Sequence, residues 1–156
     1  MKSRVSRAVY CVLAVCLFAS ALLCSFGCSG KKAEFDAEAA FEHLLNDVKY
    51  AAPLTDESSM ASILFGELPE GTQVRMYTAD GTNEDALMMF TVADENDVNT
   101  IRSSVKDYID MRLYEAERYA PEQVQKLRDA QTFVDGNTII VSITDDTEAV
   151  RSILSN

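Results

Sequence analysis

The sequence is poor in the residues that carry most recognisable chemistry. It has no tryptophan, one histidine and three prolines, and its four cysteines, Cys11, Cys16, Cys24 and Cys28, all precede residue 29. A domain built from the residues beyond Cys28 therefore has no disulfide, no thiol nucleophile and no thiolate metal ligand. It must be held by an apolar core, and a chain of about 130 residues is long enough for a single one. Without tryptophan, and with tyrosines scattered along the chain, no sugar-stacking platform can be read. A serine–histidine–acid relay would have to be built on His43, beside Glu42 and Asp47, and no Gly-x-Ser-x-Gly elbow is present to supply its nucleophile. Gly66, Gly71, Gly81 and Gly136 fall in predicted turns and caps, not in a loop that could cradle phosphate.

Positive charge is also scarce, with 14 Lys and Arg against 25 Asp and Glu. Lys2, Arg4 and Arg7 lie before Cys28, where there is no acid, so losing that segment would take the net charge from −11 to −14. An acidic surface argues against nucleic acid as a partner and against electrostatic adhesion to an anionic polymer. It is compatible with basic partners or with simple resistance to aggregation.

The N-terminus shows where such a domain would go. Three cations are followed by an apolar run from Ala8 to Phe26, interrupted only by Ser20 and Ser25, which is the pattern of an export signal. Ser25-Phe26-Gly27-Cys28-Ser29-Gly30 resembles the lipobox of bacterial lipoproteins, in which a small residue precedes a cysteine that is diacylated at sulfur and becomes the mature N-terminus. Gly27 fits the small position, whereas Ser25 and Phe26 depart from the usual leucine and small residue. Cys24 is a rival preceded by bulky Leu23, Ala19-Ser20-Ala21 satisfies the rule for ordinary signal peptidase, and an uncleaved anchor has compatible flanking charges. The resulting expectation is a signal peptide over 1–27, a lipidated Cys28 with a tether over 28–34, and one globular domain over 35–156. Two acyl chains anchor stably where one binds only marginally. A tether of about six residues reaches at most roughly 20 Å, so the domain is expected on the extracytoplasmic side, close to the cell membrane.

Within the domain, Ala37, Ala40, Phe41, Leu44, Leu45 and Val48 make the stripe of an amphipathic helix, opened by Asp36 and ending near Tyr50. Thr55 or Asp56 is placed to cap a shorter helix with Met60, Ile63 and Leu64, closed by Gly66. Gln73–Thr78 alternates as a strand and Ala86–Val92 is a second, more apolar one, so the two predict a hairpin across the link Asp80 to Asp85. Asp94 opens a long helix with Val98, Ile101, Val105, Tyr108, Ile109 and Ala116 on one face, expected to end around Tyr119. Pro121 starts a short helix carrying Val124 and Leu127 inward. Asp135-Gly136-Asn137 turns between strands at 132–134 and 138–144, and Asp145 with Glu148 is spaced as a capping pair for the last helix. The order predicts an α+β domain whose four-stranded, mainly antiparallel sheet, strand-strand-helix twice, carries its helices on one face after an N-terminal helix.

That order, together with Phe41 and Leu44, Tyr50, the long helix and Tyr119-Ala120-Pro121-Glu122, resembles domain of unknown function 4358, over roughly Phe35 to Ile153. The resemblance implies a bacterial lipoprotein and carries no activity or catalytic residue with it.

The acids invite a calcium reading at Asp94-Glu95-Asn96-Asp97, Asp80 to Asp85 and Asp145-Asp146. None matches the EF-hand loop: counted from Asp94 the fifth and sixth positions are Val98 and Asn99, and counted from Asp80 the twelfth is Thr91. Caps and turns explain these clusters. No catalytic residue, metal or cofactor is therefore expected, and the leading expectation is a non-enzymatic binding or interaction module. Its partners would be the lipid bilayer, through acylated Cys28, and an envelope protein, with no nucleic acid. A carboxylate-based envelope hydrolase and a small solute-binding lipoprotein stand as the alternatives.

Overall fold

In the computed structural model, residues 35–81 and 83–155 are described. The signal segment, Cys28 and the tether fall outside them, as do Cys24 and Ala19-Ser20-Ala21. Helix α1 spans Ala37–Asp47, and the Asp36 carboxylate accepts from the Ala39 N–H at 3.0 Å, satisfying one of the donors that a helix start leaves open. It ends short of Tyr50 because the tyrosine turns back to donate its hydroxyl to the Leu44 carbonyl. The chain then forms β1 (Leu54–Asp56), a 3-10 turn at Ser58–Met60, the short α2 (Ala61–Leu64), β2 (Gln73–Ala79) and β3 (Ala86–Thr91). A 3-10 turn at Glu95–Asp97 leads into α3 (Val98–Tyr119), and another at Pro121–Gln123 leads into α4 (Val124–Arg128). The chain closes with β4 (Gln131–Asp135), β5 (Thr138–Ile143) and α5 (Thr147–Leu154).

The α+β class with an antiparallel sheet is as read from the sequence, with five strands in place of four. Their order is β1-β2-β3-β5-β4, all neighbours antiparallel. The added strand is only three residues long. Thr55 pairs with Thr78 instead of capping a helix. Asp56 accepts from the backbone N–H and hydroxyl of Ser58, and these bonds hold its carboxyl below the ordinary value. Ser58 in turn accepts from the Met76 N–H at 2.9 Å, so its side chain takes over where the β1 ladder stops.

Helices cover both faces of the sheet, a correction to the one-faced arrangement. β3 and β5 lie in the middle, where side chains alternate between faces. Met88, Phe90, Ile139, Val141 and Ile143 point to α3 and meet Ile101, Val105 and Tyr108. Leu87, Met89 and Ile140 point the other way and meet Phe41 and Leu44 of α1 and Val150 of α5. A strand buried on both sides has no polar alternation to show, which is why Ala86–Thr91 reads as a continuous apolar run. Helix α5 starts one residue later than the Asp145–Glu148 spacing predicts. Asp146 stands at its N-cap, but its carboxylate accepts from Lys49 N–H at 3.3 Å, so Asp145 is left for another partner. Among the described residues no helix is long and apolar enough to cross a membrane.

Candidate functional site

The polar groups that the fold buries gather at one end of the sheet, where the link between β2 and β3 meets α3, α4 and the start of α5. Asn83, Glu84 and Asp85 lead into β3, the Asp85 carbonyl accepting from Ala79 N–H at 2.9 Å and the Asp85 N–H donating to Asn83 Oδ1 at 3.0 Å, and the Glu84 and Asp85 side chains go to different helices. Asp85 is fully buried and accepts from Ala51 N–H at 2.6 Å through Oδ2. Its Oδ1 lies 2.8 Å from Lys126 Nζ, an ion contact off the angle for a hydrogen bond. Lys126 is itself only 3% exposed. Its ammonium donates to Asn83 Oδ1 at 3.1 Å and lies 3.3 Å from Asp145 Oδ2, so three oxygens surround three N–H donors.

Glu84 goes to α3. Its carboxylate accepts a two-pronged bond from Arg112 on α3, Nε to Oε2 at 2.8 Å and Nη2 to Oε1 at 2.7 Å. Arg112 Nη1 donates to Glu115 Oε2 at 2.9 Å. The Glu84 bonds hold the guanidinium above its ordinary value, and so it is a fixed cation. Gln123 secures the backbone by accepting from Glu84 N–H at 3.3 Å.

Cavities flank the Glu84–Arg112 pair. One, about 210 Å³, is walled by Glu84, Arg112, Glu115, Ala116, Tyr119 and Ala120. Another, about 170 Å³, lies on the side of Leu64, Asn83 and Tyr108. Tyr119 is 82% exposed, the largest exposure among the described large apolar side chains, and it stands at the lip of the first cavity. Burial raises the Tyr108 hydroxyl above its usual range, so that ring serves as core and floor. A third hollow, about 540 Å³, lies across the sheet between Leu45, Tyr50, Pro53 and Tyr77. It is lined by apolar side chains and backbone.

The residues flagged in the sequence are not brought together. His43 stands on the open face of α1, bonded to Asp47 one turn away at 2.7 Å, with both side chains more than half exposed. Asp94 caps the turn before α3, accepting from Asn96 N–H at 2.9 Å. Among the described residues no group of three or more His, Cys, Asp or Glu side chains is placed to hold a metal ion. The acids of the β2–β3 link do more than turn the chain, because Glu84 and Asp85 each bind a cation from a different helix. Sequence reasoning missed Lys126, which sits between the inward Val124 and Leu127 and had the composition of a surface lysine.

The profile of one family, domain of unknown function (DUF4358), matches residues 72–144. Over those residues the chain is similar to this family. The match runs from β2 through β5 and so contains Asn83, Glu84, Asp85, Arg112 and Lys126, while α1, β1, α2 and α5 lie outside it. No curated protein matches the chain, and no solved structure does.

Proposed function

We propose that this protein is a lipid-anchored extracytoplasmic lipoprotein whose domain is a non-enzymatic binding module, with the cavity beside Glu84 and Arg112 as its recognition surface. The observation that carries the reading is Tyr119. An 82%-exposed aromatic ring at the lip of a cavity walled by Glu84, Arg112 and Glu115 is a common composition for an interaction anchor, because a rigid aromatic ring gains contact area for little ordering cost. The engaged state of the buried charges supports a binding role over hydrolysis. Glu84 gives both carboxylate oxygens to Arg112, and Asp85 is buried between Ala51 N–H and Lys126, so neither carboxylate is left open to attack or protonate a substrate. The lipobox-like Gly27-Cys28 supports the anchor, and the acidic balance supports a basic partner over nucleic acid.

Two measurements test this reading. Cys28→Ser is expected to abolish incorporation of labelled fatty acid and release the chain from the membrane fraction, and unchanged labelling would refute lipidation at that residue. A photo-reactive residue at position 119 is expected to give one discrete adduct in cells, with none from position 63, where Ile63 is 71% exposed on another surface. No adduct from 119, or the same ladder from both positions, would refute a binding surface at the cavity.

A further inference from the structure

We infer that the cavity between α3 and the β2–β3 link receives the side chain of a lysine presented by the partner, a commitment that rests on the binding-module reading and names the chemistry of its partner. The cavity has two zones. Its apolar lining is Ala116 and Ala120, both buried, with Tyr119, a set of residues that suits an aliphatic stem. Its polar wall carries the Glu84 and Glu115 carboxylates and the Arg112 guanidinium, one cation between two anions. The local sum is one negative charge.

That unpaired charge lies at Glu115. Glu84 is 8% exposed and gives both oxygens to Arg112, whereas Glu115 gives Oε2 alone and its side chain is 48% exposed. An entering ammonium therefore meets Glu115 at the mouth with lone pairs to spare, and the Tyr119 ring face can bear on the same cation. A carboxylate ligand would meet the repulsion of Glu84 and Glu115 together. Lysine combines a flexible four-carbon stem with a compact head, and stem burial with the head held at the rim is the way such side chains cover apolar surface. The volume, about 210 Å³, is of the size of one side chain rather than a drug-sized ligand.

The test uses the full chain, isotope-labelled, in neutral detergent micelles. The probe is Nα-acetyl-lysine methylamide, and the norleucine analogue, with no charge, and the glutamate analogue are controls. The lysine probe is expected to move the amide signals of Ala116, Tyr119 and Ala120 saturably and to lose affinity with added salt, with neither control doing so. Glu115→Gln and Tyr119→Ala, both at exposed positions, are each expected to weaken it about threefold to fivefold, the scale of one exposed charge contact. Equal shifts from norleucine, no shift from lysine, or full affinity in Glu115→Gln would overturn the lysine assignment. A discrete photo-adduct from position 119 alongside any of those results would leave the binding surface standing and refute its partner chemistry alone.

Discussion

Glu84 and Asp85 are neighbours in sequence, carry the same charge and are each paired with one basic residue, yet they serve different ends of the molecule. Asp85 is sealed: fully buried, bonded to Ala51 N–H and facing a lysine that is itself 3% exposed. Glu84 is paired with an arginine that is 30% exposed, and both line the cavity beside Tyr119, which Asp85 does not reach. The difference follows from where the two side chains go, Asp85 to Ala51 N–H and the Lys126 ammonium of α4, Glu84 to the Arg112 guanidinium of α3. It teaches that buried charge alone does not mark a site in this fold. The sealed pair ties four distant segments together, and the open pair holds a charged wall in place for something outside.

Breaking the sealed pair is expected to have the largest effect. Lys126→Met leaves Asp85 buried without its cation and is expected to cost about 3 to 5 kcal/mol in chemical denaturation. Adding Asp85→Asn to it is expected to restore part of that loss, since the stranded charge is then gone. A double variant that loses the full sum of the two single changes would mean that the residues do not act as a pair.

Charge is also resisted at Tyr50. Burial pushes its hydroxyl up to about 12, against a weaker effect from Ser142 and with Asp85 adding to the rise. A group whose folded value is raised stabilises the fold fully below its unfolded value, 10.0, and the benefit is lost as pH climbs from there to about 12. The expected alkaline loss is about 2 to 3 kcal/mol, absent in Tyr50→Phe. Ultraviolet titration of tyrosinate is expected to show the corresponding late phase.

On the open side the penalties shrink. Glu84→Gln leaves Arg112 its bond to Glu115 and partial access to water, so a loss of about 1 to 2 kcal/mol is expected. The clamp on the far face offers a surface reference. Arg75 donates to Glu38 at 2.8 Å and Glu42 at 2.7 Å while its guanidinium lies 4.3 Å from the centre of the Phe41 ring. Burial would lower its pKa, but the bonds from Glu42, Tyr77 and Glu38 outweigh that and raise it. Arg75→Ala is expected to cost about 1 kcal/mol in the same denaturation series, and a loss matching that of Lys126→Met would erase the distinction between sealed and open pairs.

Most of the fold was legible because its signals are local. Asp36 and Asp94 cap as their spacing suggests, α3 ends at Tyr119, and Gly136 makes its hairpin with φ +51, a value glycine adopts without strain. Where reading failed, the cause was a contact from far along the chain. Thr55 is drawn from a cap into a strand by Thr78, and Asp145 from the cap of the last helix to Lys126. Two-faced burial was foreshadowed only by the apolar run at β3. The site was less legible still, because Lys126 becomes buried through Asn83, Asp85 and Asp145, none of which is near it in sequence. The acids of the link stand out in the sequence, but their pairing with two different helices is a property of topology.

The division between scaffold and recognition surface is tested most directly by measuring unfolding free energy and affinity for the lysine probe on the same two variants, Asp85→Asn and Glu115→Gln. Asp85→Asn is expected to lose stability while its folded fraction binds the probe as before. Glu115→Gln is expected to keep its stability within about 0.5 kcal/mol and to bind about threefold to fivefold more weakly. Equal weakening of the probe by both variants, or unfolding by Glu115→Gln on the scale of Asp85→Asn, would contradict the account.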